Sequence, residues 1–108
     1  MRAGDLRYYA TIERPLPSQD AIGGPTQTWA TVCTLWGALE ALSTRWREYW
    51  QAQKENAEVA GQFRTRYRRG IDPTMRISVD GRYLYIVGAI DPDGRKREML
   101  LFYKESQA

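Results

Sequence analysis

From Arg7 to Arg14 the chain alternates: Tyr8, Ala10 and Ile12 fall on one side and Arg7, Tyr9, Thr11 and Glu13 on the other, the period of a half-buried β-strand. The next stretch, Pro15 to Thr26, holds Pro15, Pro17 and Pro25 together with the pair Gly23-Gly24. Proline removes a ladder donor and is excluded from a sheet interior, so this stretch predicts a long loop outside the sheet. Loops of that length in small domains tend to carry function. One this polar and glycine-rich either orders against a neighbouring subunit or is a flexible hairpin loop with no partner. Its candidate contact residues are Gln19, Asp20, Ile22, Gly23 and Gly24. From Thr28 to Leu42 both faces are apolar, with Val32, Trp36 and Ala38 on one and Cys33, Leu35 and Leu39 on the other. This predicts a long strand, bent at Gly37, with Trp36 in the core.

The period then changes. Ser43 and Thr44 are helix caps by type, and Trp46, Tyr49, Trp50 and Gln53 recur at helical spacing, which predicts one short amphipathic helix ending near Asn56. Alternation returns with Val59, Phe63 and Tyr67 on one face and Gln62, Arg64, Arg66 and Arg68 on the other. Met75, Ile77 and Val79 lead into Asp80-Gly81, a strong two-residue hairpin signal, and Tyr83 to Ile90 returns as a strand. Asp91-Pro92-Asp93-Gly94 turns the chain once more into a final strand, Glu98 to Glu105. The sum is all-β: a small antiparallel β-barrel or sandwich of about six strands, with one short α-helix inserted between strands two and three.

Composition narrows the chemistry. A chain of 108 residues supports one core and so a single domain over residues 1–108. It has no histidine and one cysteine, Cys33. The usual general base, an internal disulfide and a His/Cys metal site are therefore all missing, and no catalytic residue, cofactor or metal site is expected. Cys33 sits in an apolar strand and reads as a small core hydrophobe. Asp91 and Asp93 read as turn residues before they read as an acid/base pair. No run approaches the roughly 20 apolar residues that span a bilayer, and Met1 to Asp5 lead into no apolar run, so neither a membrane segment nor a secretory leader is expected.

The order of motifs, more than any one of them, resembles bacteriophage head closure proteins, also called head–tail joining proteins. Gly4-x-Leu6 opens the first strand, followed by Asp20-x-x-Gly23-Gly24, Thr28-Trp29, Leu35-Trp36-Gly37-Ala38-Leu39-Glu40-Ala41-Leu42-Ser43 and the helix. Arg66-Tyr67-Arg68, Gly70-Ile71, Met75-Arg76-Ile77, Gly81-Arg82-Tyr83-x-Tyr85-Ile86 and Asp91-x-Asp93-Gly94-Arg95 continue it to the closing hairpins. Gly37 departs from the family's more frequent alanine, and the last strand, ending Phe102-Tyr103-Lys104-Glu105, lacks the cysteine of many members. The resemblance implies a non-enzymatic virion protein. It would assemble as a twelve-fold ring beneath the portal or its adaptor, retain the packaged DNA and offer a docking surface to the tail, meeting its partners in the host cytoplasm during assembly.

The residues themselves supply candidates for that docking. Trp46 and Trp50 either pack the helix on its own barrel or meet a neighbouring subunit. The chain's net charge of +3 is concentrated on one strand by Arg64, Arg66, Arg68 and Arg69, of which Arg64, Arg66 and Arg68 would face DNA phosphates or acidic partner residues, or else solvent. Two rivals remain at this point. One is a tail completion or terminator protein. The other is a monomeric OB or SH3-like nucleic-acid-binding barrel, weakened because alternation points Phe63 and Tyr67 away from the arginines.

Overall fold

A computed structural model describes residues 7–19, 25–53, 58–92 and 94–105. The strands are β1 (Tyr8–Gln19), β2 (Pro25–Glu40), β3 (Gly61–Arg66), β4 (Arg76–Val79), β5 (Arg82–Ile90) and β6 (Glu98–Glu105), and one helix, α1 (Thr44–Gln51), lies between β2 and β3. All pairings are antiparallel and they close into a barrel in the order β1-β2-β3-β6-β5-β4.

Alternation fills the barrel. Ala10, Ile12, Phe63, Ile77, Leu84 and Leu101 are fully buried inside it, with Ile86, Met99 and Tyr103 beside them. Between β3 and β4 the chain folds Ile71 and Met75 into the same core. Two irregularities set the phase of the alternation. In β1–β2 the register runs Ile12↔Cys33 and then Glu13↔Thr31, leaving Val32 without a partner. In β5–β6 it runs Ile86↔Tyr103 and then Gly88↔Phe102. After that second bulge Ala89 faces the interior while Ile90 turns to the outer wall.

A second apolar cluster lies outside the barrel, under α1. Trp50, Leu100 and Phe102 are buried there, with Leu42, Trp46, Val59, Val87 and Ile90 packed against them. This explains the continuous apolar run of β6: Met99, Leu101 and Tyr103 point into the barrel and Leu100 and Phe102 point at the helix. Ser43 caps α1, its Oγ accepting from the Trp46 N–H at 3.4 Å. The Asp80-Gly81 hairpin forms as expected. Both residues adopt positive φ (51° and 75°), the turn that matches strand twist.

Four expectations need correction. Pro15 and Pro17 lie within β1, paired with Trp29 and Gln27, so most of the expected loop is a β-hairpin arm. Beyond Glu13, β1 has no neighbour on its outer side among the described residues, and prolines at alternate positions of an edge strand leave the inner ladder intact. Trp36 is not core: it is 53% exposed, because the inward positions of β2 are Cys33, Leu35 and Leu39. Val59 precedes β3 and joins the cluster under the helix, not the face of Phe63 and Tyr67. The helix stops at Gln51, with Ala52 as its C-cap, and Asn56 lies outside the described residues.

Candidate docking surface

Past the barrel, β1 and β2 continue together as a two-stranded arm. Among the described residues, from Arg14↔Ala30 to Gln19↔Pro25 the strands β1 and β2 pair only with each other, since β1 leaves β4 at Glu13↔Arg76 and β2 meets β3 only from Gly37 on. The longest molecular axis is 48 Å, against 32 and 25 Å for the others. Of the contact residues expected from sequence, Gln19 ends β1, whereas Asp20, Ile22, Gly23 and Gly24 lie outside the described residues.

The two helix tryptophans are spent largely on the chain itself. Trp50 is 7% exposed, and the Trp50 and Trp46 rings lie 5.3 and 5.0 Å from that of Phe102. Tyr49 stays on the open side of α1, edge-on to both tryptophans.

The arginine row is not a row of equivalent charges. Arg64 bridges Glu40 of β2 at 2.9 Å and Glu98 of β6 at 3.7 Å, and Glu40 also accepts from Gln62 Nε2 at 3.0 Å. Arg64 is thus a cross-strand tie holding three neighbouring strands. β3 ends at Arg66, so Arg68 leaves the row and its guanidinium approaches Cys33 instead. Burial pushes the Cys33 thiol up, the Arg68 charge offsetting part of this, so the thiol is held protonated and poorly nucleophilic at neutral pH. Arg66 is the member of the trio that remains on the strand and exposed.

Arg66 has unexpected company. On the outer wall Tyr9 and Trp36 sit directly opposite each other, 55% and 53% exposed, with ring centroids 4.9 Å apart. The Tyr9 hydroxyl donates to Thr34 Oγ1 at 2.8 Å, which holds the ring in place. The Gly37↔Thr65 register puts Trp36 level with Arg66, and Thr65 Oγ1 donates to the Trp36 carbonyl at 2.8 Å. Sequence reading placed Trp36 inside because both faces of that strand are apolar. The alternation of Tyr9 onto the polar face of β1 was the available signal that its cross-strand partner would be outside too. Among the described residues no group of acidic, histidine or cysteine side chains could hold a metal ion, and no helix is long and apolar enough to cross a membrane.

The family model for phage head completion proteins matches residues 1–106, nearly the entire chain. The chain belongs to the phage head completion protein family. The solution structure of protein SF1141 from Shigella flexneri 2a is 30% identical to it, with a TM-score of 0.69 over 99% of this chain and 98% of that one. A chain in the virion of a native gene transfer agent particle shares the fold, with a TM-score of 0.57 and 16% identity over 94% of this chain and 98% of the other. No curated protein matches it significantly. As a head completion protein the chain is a structural, virion-associated component of the phage head, and its partners are other virion proteins.

Within this head completion protein the arginines should separate by experiment. Arg64→Glu puts a third carboxylate between Glu40 and Glu98 and is expected to cost about 1–2 kcal/mol, a fall of roughly 5–10 °C in the thermal midpoint. Arg66→Ala should stay within about 0.5 kcal/mol of the parent. Calorimetry on the two variants checks this, and equal midpoints would mean that the Arg64 bridges contribute nothing.

Proposed function

We propose that this head completion protein docks as a ring beneath the portal or its adaptor, closes the DNA-filled head and presents the surface to which the tail attaches. The observation that carries the reading is the pre-set pair Tyr9–Trp36 on the outer wall beside Arg66. Tryptophan, tyrosine and arginine are the residues that dominate protein interfaces, and rings already held in one orientation lose little entropy on docking. Arg66 favours an acidic partner surface or, secondarily, packaged DNA at the same place. The paired arm of β1 and β2, which ends at Gln19 and Pro25, is a second contact region. The proposed role is structural throughout, with no catalytic step.

The test is complementation. The double variant Tyr9→Ala, Trp36→Ala removes exposed rings and leaves the barrel core untouched, so its thermal midpoint should fall by no more than a few degrees. Particles assembled with it should accumulate as filled heads without tails, and titres should drop at least about tenfold, the loss that about 1.4 kcal/mol of binding energy represents. A normal titre from the double variant sinks the assignment of this face. Tight binding of the isolated parent chain to naked single-stranded DNA, abolished by Trp36→Ala, would favour the nucleic-acid-binding alternative.

A further inference from the structure

A two-stranded ribbon is marginally stable on its own and free to pivot where it leaves a sheet. The arm of this barrel leaves it at one rung, Glu13↔Arg76, and the side chains at that rung are unusual. The Arg76 guanidinium carbon lies 4.0 Å from the ring centroid of Trp29, on the arm portion of β2, and 4.0 Å from that of Tyr83, on β5 of the barrel. Arg76 Nε donates to Glu13 Oε1 at 2.7 Å, and Nη1 reaches the Tyr85 hydroxyl at 3.5 Å. The Trp29 ring also meets Tyr85 edge-on, with centroids 6.1 Å apart. One side chain on β4 therefore touches β1, β2 and β5, and it is well shielded, with 13% of the Arg76 side chain and 20% of Glu13 exposed.

We propose that Arg76 is a clamp that sets the direction of the arm relative to the barrel, so that the arm is presented already ordered. The geometry uses properties peculiar to arginine. A guanidinium has two flat faces, one for each ring, while its edge N–H groups remain free for Glu13 and Tyr85. A lysine ammonium at the same place keeps the charge and the ion pair but cannot be stacked from both sides. Trp29 pairs with Pro15 in the first rungs of the arm, so holding this ring holds the base of the ribbon. The arm's use as a docking element rests on the connector role proposed above. The clamp does not, and it is tested on the isolated chain.

The experiment compares backbone 15N relaxation in the parent, Arg76→Met and Arg76→Lys. In the parent, the amides of Arg14, Leu16 and residues 28–30 should be as rigid as the barrel, with order parameters of ~0.85. In Arg76→Met the same amides should fall below ~0.6 while those of β3 and β6 do not change. Arg76→Lys should fail to restore them, because it returns the charge without the stack. Should Arg76→Met not fold, Trp29→Leu, which removes the upper ring from outside the barrel, replaces it and is expected to loosen the arm in the same way. An arm as rigid as the parent's in Arg76→Met or Trp29→Leu overturns the proposal. So does full recovery in Arg76→Lys, which would leave a simple ion pair with Glu13 as the whole effect.

Discussion

Trp50→Ala is expected to cost about 3–5 kcal/mol and to release α1 from the barrel wall. The indole is 7% exposed and caps the cluster of Leu100 and Phe102 on the outer face of β6. It also lies against Gly88, where an added Cβ would come within 2.9 Å of the indole Cη2. A helix of eight residues does not persist without tertiary contacts, so its stability is the stability of this packing. Truncation leaves a cavity and opens Phe102, otherwise fully buried, to water. Domains of this size are stable by about 5–15 kcal/mol, so the variant should be marginal at 37 °C. Urea denaturation followed by far-ultraviolet circular dichroism measures it, and Trp46→Ala, which truncates a half-buried ring, should cost clearly less. A loss below about 1 kcal/mol from Trp50→Ala would show that Trp46 alone docks the helix.

Gly37→Ala, a change of one methyl group, is expected to cost about 2–3 kcal/mol by overpacking. A Cβ at this position would lie 2.2 Å from Phe63 Cζ, 2.4 Å from its Cε2 and 2.8 Å from the Arg64 carbonyl oxygen. Phe63 is fully buried at the centre of the core, and the Gly37↔Thr65 rung fixes β3 beside β2, so neither ring nor backbone has free room to yield. The second mutation that tests the mechanism is Phe63→Leu. It should be destabilising alone yet relieve part of the Gly37→Ala cost when combined with it, giving a favourable coupling in a double-mutant cycle. Additive losses would mean that the ring is not what the methyl group meets. Gly37 and Phe63 thus form a matched pair in this chain.

Much of the architecture was legible in local pattern. The alternation of Tyr8 to Ile12, the Asp80-Gly81 turn, the Ser43 cap with Trp46 and Trp50 at helical spacing, and the two-sided apolar run of β6 each depend on neighbours a few residues away, and an element of the expected type formed at each, though the helix is shorter and β1 longer than the pattern put them. The family resemblance was legible for the same reason, since its motifs are turns and strand starts in a fixed order. The errors fell where a residue's fate depends on a distant strand. Pro15 and Pro17 read as breakers, because a sequence does not announce that its strand will have no neighbour on one side. Arg64 read as one of three equal charges, because Glu40 and Glu98 are far from it in the chain and meet it only through the β2–β3 and β3–β6 registers.

The sequence by itself determined the strand count, the Asp80-Gly81 hairpin, the position of the helix, the poverty of catalytic groups and the family. Only the tertiary structure decided which face of each strand looks outward and which charges are left unpaired. A period of two specifies two faces and not which of them the barrel encloses. One bulge, at Val32 or between Ile86 and Gly88, shifts the alternation of everything beyond it. Closure resolved that ambiguity. It turned Trp36 out beside Tyr9 and Arg66, spent Arg64 on its own barrel, and brought Arg76 between Trp29 and Tyr83, rings 54 residues apart in the chain.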